Sequence, residues 1–191
     1  MDQLKFDSEE FLKLGEEQPQ ANRLAAYLIQ QYHPSSIVDV GAATGLYLKP
    51  FLEKGVYVQG WELEPIPKSI AAIDSRFLHR IDITREIAGF GFDLCLCLEV
   101  LEHIPAQYAA DAISNLCSVS DTVIFSAALP GQGGYGHINC QPKDYWSKLF
   151  GENKFYHALD KSESIVSYMK QGYHMGWFTQ NVMVFQNAID N

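Results

Sequence analysis

The chain has 191 residues, and its 14 lysines and arginines against 23 aspartates and glutamates give a formal net charge of −9. This acidic balance argues against nucleic acid and anionic membranes as partners. Hydrophobic residues make up 47% of the chain, which suits the core of one domain, 1–191, and no apolar run is long enough to cross a membrane. The acidic start, MDQLKFDSEE, lacks the pattern of a secretory signal, so we expect a cytoplasmic protein.

Strand-like and helix-like segments alternate along the chain. The apolar runs that we predict as strands are SIVDV, VYVQGWE, FLHRIDI, FDLCLCL, DTVIFSAA and QNVMVFQ. The segments that we predict as helices are NRLAAYLIQQY, GLYLKPFLEKG, PKSIAAID, AQYAADAISNLCS and SESIVSYMKQG. Because strands that alternate with helices pair in parallel, the pattern predicts an α/β fold: a Rossmann-like, doubly wound, mostly parallel sheet with an antiparallel terminal strand.

The first strand is followed by a loop with two glycines, GAATG, at Gly41–Gly45. Glycine permits positive φ and close backbone approach, and a helix N-terminus attracts negative charge, so the loop suits a carboxylate or a phosphate. Ala43 departs from the G-x-G-x-x-G spacing, which disfavours a nicotinamide dinucleotide. Two glycines in such a turn also occur for structural reasons alone, so the loop does not identify a ligand by itself.

Acidic residues follow the second strand. Glu62 comes 17 residues after Gly45, near the distance at which a carboxylate binds ribose hydroxyls in sheets of this kind. Leu63 is positioned to cover a flat base, and Glu64 is the competing acid. The alternative is that both acids are solvated surface groups.

Two further strand ends carry polar side chains. Asp82, after the third strand, suits the exocyclic N–H of an adenine with Ile83 against the ring, although Asp in this position also caps helices. The fourth strand runs directly into a turn that carries Glu99, Glu102 and His103.

The motifs VDVGAATG, GWELEP, RIDIT and FDLCLCLEVLEHI follow one another as in class I S-adenosylmethionine-dependent methyltransferases, and the chain resembles this family over residues 22–187. The resemblance implies S-adenosylmethionine as cofactor and an acid, here Asp39, that steadies the first loop or reaches the cofactor's amino group through water. The cofactor contacts that it implies are Gly41, Ala42, Ala43, Thr44 and Gly45 at the methionine moiety, Glu62 and Leu63 at the ribose and base, Asp82 and Ile83 at the adenine, and Leu98 and Glu99 at the methionyl end. Many members have glycine where this chain has Ala43.

The resemblance divides the domain into an N-terminal helical segment, 1–33, a cofactor-binding core, 34–128, and a substrate-side part, 129–191. The last part begins with LPGQGGYGHINCQPKDYW, whose four glycines predict a flexible loop over the acceptor. Its H-x-N-x-x-P-x-x-Y-W spacing is similar to that of a subgroup of small methyltransferases near glycan or secondary-metabolite genes.

Histidine is the usual general base for an acceptor that must lose a proton. We predict His137 as this base, with Asn139 orienting the acceptor or the loop, and Tyr145 and Trp146 as a substrate wall. Alternatively, His137 and Asn139 hold the loop while the two aromatic residues anchor a helix in the core. His103 is the second candidate base, or else part of the site wall.

We expect no metal site. The remaining histidines lack metal-ligand spacing, and the C-x-C pair Cys95 and Cys97 lies in an apolar strand, where packing is the simpler interpretation. SAALPG after the fifth strand, in place of a pair of acids, disfavours magnesium-dependent catechol chemistry. The absence of N/D-P-P-Y/F after the fourth strand disfavours methylation of nucleic acid bases.

The sequence therefore predicts methyl transfer from S-adenosylmethionine to a small-molecule or glycan-like acceptor, with oxygen slightly favoured over nitrogen because of the candidate base. One alternative is a cofactor-binding pseudoenzyme that acts as a regulatory or assembly subunit. Another is a nicotinamide-dependent oxidoreductase. The sequence makes no prediction of the oligomeric state.

Overall fold

The computed structural model describes residues 14–64, 66–87 and 91–188. Within these residues, seven strands form one sheet in the order β3-β2-β1-β4-β5-β7-β6. The strands are β1 Ser36–Val40, β2 Tyr57–Glu62, β3 Leu78–Arg80, β4 Leu94–Leu98, β5 Thr122–Ser126, β6 Phe155–His157 and β7 Met183–Asn187. Strands β1 to β5 pair in parallel, whereas β7 pairs antiparallel with both β5 and β6. The predicted α/β sheet with an antiparallel terminal strand is confirmed.

Helices cover both faces of this sheet. They are α1 Gln18–Tyr32, α2 Lys49–Glu53, α3 Ala109–Val119, α4 Lys143–Glu152, α5 Leu159–Lys170 and α6 Gly176–Asn181. Successive residues of a strand face opposite sides, so Cys95 and Cys97 enter the core with α3 and α4, while Leu94 and Leu96 enter the core with α1 and α5. Burial on both faces explains the continuous apolar runs in the sequence.

Two predicted helices differ from the structure. GLYLKPFLEKG is helical only over α2, because Gly45 has a φ of +78°, which a right-handed helix cannot include. PKSIAAID forms turns followed by a 3₁₀ turn at Ser75–Phe77, because the Ala72 N–H donates to the Thr44 carbonyl instead of to a helical neighbour. Strand β6 and helices α4 and α6 were not predicted.

Strand β1 lies between β2 and β4: the chain adds β2 and β3 on one side of β1, then crosses over and adds β4 and β5 on the other side. A crevice opens at such a point, at the carboxyl ends of the strands. The acidic start of the chain and Pro65 of GWELEP lie outside the described residues. Among those that are described, no helix is both long and apolar enough to span a membrane.

Candidate functional site

The loop after β1 is held against the end of β2. The N–H groups of Gly41 and Ala42 both donate to the Trp61 carbonyl, at 2.8 and 3.1 Å. Gly41 and Ala43 have positive φ, +76° and +46°, which alternates the direction of the peptide groups along the loop. The side chains of Ala42 and Thr44 are buried, so this loop offers a ligand mainly its backbone.

Position 41 requires glycine for two reasons: its φ is positive, and a side chain there would clash with a neighbour. A Cβ built there would lie 2.4 Å from Val100 Cγ2. We expect Gly41→Ala to lower the free energy of unfolding by about 1–2 kcal/mol for the left-handed backbone and by a further ~1–3 kcal/mol for overpacking. Urea unfolding measures the loss.

Gly55→Ala is the matched control, because Gly55 also has positive φ, +79°, but a Cβ there would meet nothing within 4 Å. Gly55→Ala is expected to lower the free energy of unfolding only by the cost of the left-handed backbone, about 1–2 kcal/mol. Equal losses for the two variants would mean that Val100 moves aside at no cost and that the loop is not tightly packed against it.

Glu62, at the end of β2, is joined to the glycine loop. Its Oε2 accepts the Ala43 N–H at 3.0 Å, and its Oε1 accepts the Leu63 N–H at 2.8 Å. Burial raises the pKa of this carboxyl, while the hydrogen bond from Ala43 acts to lower it. The Glu64 N–H also contributes a hydrogen bond, so of about four acceptor positions on the carboxylate one remains for a hydroxyl of a ligand. Leu63 is half-buried beside it, and its carbonyl accepts Arg80 Nε at 3.1 Å.

Asp39, in β1, is only 4% exposed. Burial, and after it the charge of Glu62, raises the pKa of Asp39 to about 8. No hydrogen bond from the described residues reaches its carboxyl group. Buried polar groups are nearly always paired, so an acid in this situation beside a strand-end crevice indicates a ligand that carries donors.

Asp82 lies just beyond β3, and Arg80 of that strand pairs with Glu62. Asp82 Oδ1 accepts the N–H and the hydroxyl of Thr84, at 3.0 and 2.6 Å, and Asp82 Oδ2 accepts Arg85 Nε at 3.2 Å. Burial opposes ionisation, but Thr84 and Arg85 together hold the pKa of Asp82 below its ordinary value. The carboxylate thus closes a local turn rather than capping a helix, since no helix lies between Asp82 and β4 among the described residues.

Ile83 is buried in the core cluster with α3, so most of its side chain is covered before any ligand binds. Its carbonyl accepts Asn115 Nδ2 of α3 at 2.7 Å. Asn115 also bonds the Arg85 carbonyl and thereby fixes the turn after β3. Only the rim of Ile83 remains for contact with a base.

The turn after β4 contains a left-handed residue. Glu99 has a φ of +53°, and its N–H donates to the carbonyl and hydroxyl of Ser126, at 3.0 and 3.2 Å. Such strain in a non-glycine residue persists only where surrounding contacts impose it, and it is concentrated at functional sites. The Glu99 carboxylate accepts Asn181 Nδ2 at 3.1 and 3.2 Å, and Leu98 before it is half-buried.

Glu102 is fully buried beside Glu99. Its Oε1 accepts the Ala128 N–H at 3.1 Å, and its main-chain carbonyl accepts the N–H groups of Ile138 and Asn139. Burial first, and the neighbouring Glu99 charge second, raises the pKa of Glu102 to about 8. A side-chain hydrogen bond between these two carboxyls requires one of them to keep its proton.

Asn139 is 2% exposed and donates from Nδ2 to the Leu101 carbonyl at 3.3 Å. Its Oδ1 accepts Gln141 Nε2 at 3.0 Å. Of the two roles considered for Asn139, the structure therefore shows the loop contacts and leaves no exposed amide for an acceptor.

The side chains of the two candidate bases, His103 and His137, lie next to each other. The rings of His103 and His137 have centroids 5.0 Å apart and planes at 77°. Their Nδ1 atoms face the carbonyls of Gly136 and Gln132, at 3.2 and 3.3 Å. A carbonyl only accepts, so each Nδ1 carries a proton, and in a neutral ring Nε2 then carries the lone pair. Burial, and then the proximity of His137, lowers the pKa of His103, which favours the neutral imidazole.

Of the aromatic pair predicted as a substrate wall, Trp146 lies in the core. Trp146 is fully buried on α4, with its ring centroid 5.4 Å from that of Phe125, and Tyr145 is half-buried against it at 4.9 Å. The prediction is wrong for Trp146, because the ring fills the core between α4 and the sheet. These residues anchor a helix, as the alternative proposed.

Sequence reasoning missed Asn181 and Gln132. Asn181 is fully buried at the end of α6 and joins Glu99 to Gln132, whose Oε1 accepts both Asn181 Nδ2 and the Leu129 N–H. An asparagine far along the chain from its partner has no local signal. The two residues tie the glycine-rich segment to the turn after β4.

Comparison with known proteins supports this architecture. No protein-family profile matches the chain. The ubiquinone biosynthesis O-methyltransferase of Alkalilimnicola ehrlichii is 30% identical over 139 residues, which cover 65% of this chain and 50% of that protein. The chain thus spans about half the length of this curated relative.

Solved structures match over nearly the whole chain. Magnesium protoporphyrin IX methyltransferase from Synechocystis, crystallised with S-adenosylhomocysteine, has a TM-score of 0.64 at 17% identity, covering 97% of this chain and 90% of that one. A sugar N-methyltransferase from Streptoalloteichus has a TM-score of 0.69 at 14% identity, covering 98% and 95%. The sheet order, the glycine loop and these likenesses show that the chain has the fold of the class I S-adenosylmethionine-dependent methyltransferases.

Proposed function

We propose that this protein transfers a methyl group from S-adenosylmethionine to a small-molecule or glycan-like acceptor, and that the accepting atom is an oxygen. The observation that carries the proposal is the pair of acids beside the glycine loop. Asp39 is 4% exposed and lies close enough to Glu62 for the Glu62 charge to raise the pKa of Asp39, and Glu62 is fixed to Ala43 with one acceptor position left. The carboxyl groups at this edge of the sheet suit a ligand that donates hydrogen bonds, such as one with a cationic amino group and a ribose.

The residues present fit that cofactor. The backbone of Gly41–Gly45 would hold the methionine moiety, with Asp39 toward the amino group and Glu62 toward the ribose hydroxyls. Leu63 and the turn closed by Asp82 would border the adenine. When bound, S-adenosylmethionine supplies an electrophilic methyl group on a sulfonium.

The chemistry of the chain's own side chains lies on the other side of the crevice. His103 and His137 each direct an Nε2 lone pair away from a carbonyl-bound Nδ1. A neutral imidazole in this position accepts the proton of an acceptor hydroxyl, and we assign this role to His137 with His103 beside it. The segment from Leu129 to Asn139 excludes water and orients the acceptor.

The choice of oxygen rests on the histidine pair and on a curated relative named as an O-methyltransferase. Structural neighbours named as N-methyltransferases make nitrogen the competing acceptor. The four free cysteines agree with a reducing compartment, so we propose that the protein acts in the cytoplasm.

Calorimetry and a turnover assay test the proposal. S-adenosylhomocysteine is expected to bind with a Kd of about 1–100 μM, a range typical of cofactors and substrates, while NAD binds at least about tenfold more weakly. Labelled methyl transfer to a panel of phenols, sugars and amines then identifies the acceptor class. Tighter binding of NAD would refute the assignment, and cofactor binding without turnover across the panel would favour the regulatory subunit.

A further inference from the structure

Three potential metal ligands converge between the turn after β4 and the glycine-rich segment. Glu102, His103 and His137 each offer one ligand atom, and these atoms all lie within 4.8 Å of one another. Glu102 is fully buried and both imidazoles are half-buried. Ligands bound to one Zn²⁺ at ~2.0–2.2 Å are separated by roughly 3.3 Å, so small side-chain movements complete the geometry.

One buried oxygen of Glu102 distinguishes this cluster. Glu102 Oε1 accepts the Ala128 N–H, but among the described residues no partner is found for Oε2 other than the Glu99 carboxyl, with which it can share a proton. The Glu99 carboxyl is itself an acceptor unless that proton is shared. A buried carboxylate oxygen without a donor costs several kcal/mol unless a proton or a cation satisfies it.

The imidazoles are already oriented as ligands. Each Nδ1–H is held by a main-chain carbonyl, of Gly136 for His103 and of Gln132 for His137. In metalloproteins the ligating histidine has its other ring nitrogen bonded in this way, which fixes the tautomer and the ring orientation. The carbonyls of the glycine-rich segment thus perform the supporting role of an outer coordination shell.

We propose that Glu102, His103 and His137 bind one divalent cation of the zinc type, with a fourth coordination position open toward the acceptor. Two imidazoles and one carboxylate are the ligand set of open, catalytic zinc sites. The cation would satisfy Glu102 Oε2 and offset the negative charge that Glu99 and Glu102 bring together. Binding of the cation does not depend on the methyltransferase assignment.

The consequence for the reaction does rest on the proposed function. An acceptor hydroxyl that takes the open position would release its proton to water and keep the electron pair on oxygen, at a pH well below its ordinary pKa. His137 Nε2 cannot ligate a cation and accept a proton at once. In this form of the enzyme the cation therefore replaces direct proton acceptance by the imidazole.

The cluster of Glu102, His103 and His137 could not be recognised from the spacing of these residues in the sequence. Glu102 and His103 precede β5, whereas His137 follows it, so no local metal-binding pattern appears in the sequence. The site forms only because the main-chain carbonyl of Glu102 accepts the N–H groups of Ile138 and Asn139. The expectation of no metal site was drawn from the other four histidines and did not consider His103 together with His137.

Titration of the metal-free full chain with Co²⁺ alone, followed by competition with Zn²⁺, tests the site by visible absorption. One Co²⁺ per chain is expected, with d–d bands of a four- or five-coordinate site that Zn²⁺ removes. His137→Ala and Glu102→Gln are each expected to weaken Co²⁺ binding by about 100-fold or more, because each removes a direct ligand. The exposed His79, changed to alanine, is the matched control and is expected to have no effect.

Thermal unfolding and S-adenosylhomocysteine calorimetry on the same samples show whether each variant is folded. Absence of a Co²⁺ spectrum in the wild type, or a spectrum unchanged in both His137→Ala and Glu102→Gln, overturns the cation site. Cofactor binding without Co²⁺ binding removes this inference alone. Co²⁺ binding that depends on His137, without cofactor binding, supports the site and refutes the proposed function instead.

Discussion

Replacing His137 with alanine is expected to lower kcat by about 10²- to 10⁴-fold, the usual contribution of a positioned acid–base group, while cofactor affinity changes little. The reason is that the role proposed for His137 is to accept the acceptor's proton, whereas the contacts of its ring with the Gln132 carbonyl and with Gly134 involve only the loop. Single-turnover transfer of a labelled methyl group and calorimetry with S-adenosylhomocysteine measure the two effects. The loss is expected whether His137 accepts the proton directly or holds a cation, so the Co²⁺ titration distinguishes those roles.

A pair of glycines provides a control that leaves His137 in place. A Cβ at Gly134 would lie 2.2 Å from His137 Nε2, so Gly134→Ala must displace the imidazole, whereas a Cβ at Gly133 would meet nothing within 4 Å. Gly134→Ala should reproduce most of the loss in kcat, and Gly133→Ala should stay near the wild type. Equal effects of the two changes, or equal losses of kcat and affinity in His137→Ala, would point to loop folding instead.

Replacing Glu62 with alanine is expected to weaken S-adenosylhomocysteine binding by about 10- to 100-fold. A hydrogen bond to a charged group contributes about 1.5–3 kcal/mol, and the carboxylate has an acceptor position left for a ribose hydroxyl. Calorimetry measures the change. Glu64→Ala is the matched control, because Glu64 is the nearest competing acid, and its affinity should resemble that of the wild type.

Glu62 also steadies the glycine loop through the Ala43 N–H, and Glu62→Gln separates the two roles. The amide keeps a carbonyl oxygen for Ala43 but loses the charge and one acceptor, so its affinity should fall between those of the wild type and Glu62→Ala. Unchanged affinity in Glu62→Ala would refute the ribose assignment. A larger loss of affinity in Glu64→Ala than in Glu62→Ala would assign ribose binding to Glu64 instead.

The strand-end positions of Asp39 and Glu62 were accessible from sequence, whereas the packing around the glycine-rich segment was not. Asp39 and Glu62 could be identified because each occupies the end of a strand, where position along the chain determines position at the sheet edge. Trp146 was misjudged because its proximity to His137 in the sequence does not show that α4 turns it into the core. Asn139 was uncertain for the same reason, since its burial depends on contact with the turn after β4.

By itself, the sequence determined the succession of strands, the parallel sheet and the glycine loop with its acids, because these follow from local periodicity, backbone conformation and the regular geometry of strand ends. It did not determine the lengths of α2 and the segment after Pro67, where a left-handed glycine and the Ala72–Thr44 hydrogen bond override helical spacing. Only the tertiary structure brought Glu102, His103 and His137 together and joined Asn181 to Glu99. Those contacts link segments that lie far apart along the chain, so they exist only once β5 and β7 have packed and the glycine-rich segment has closed against the turn after β4.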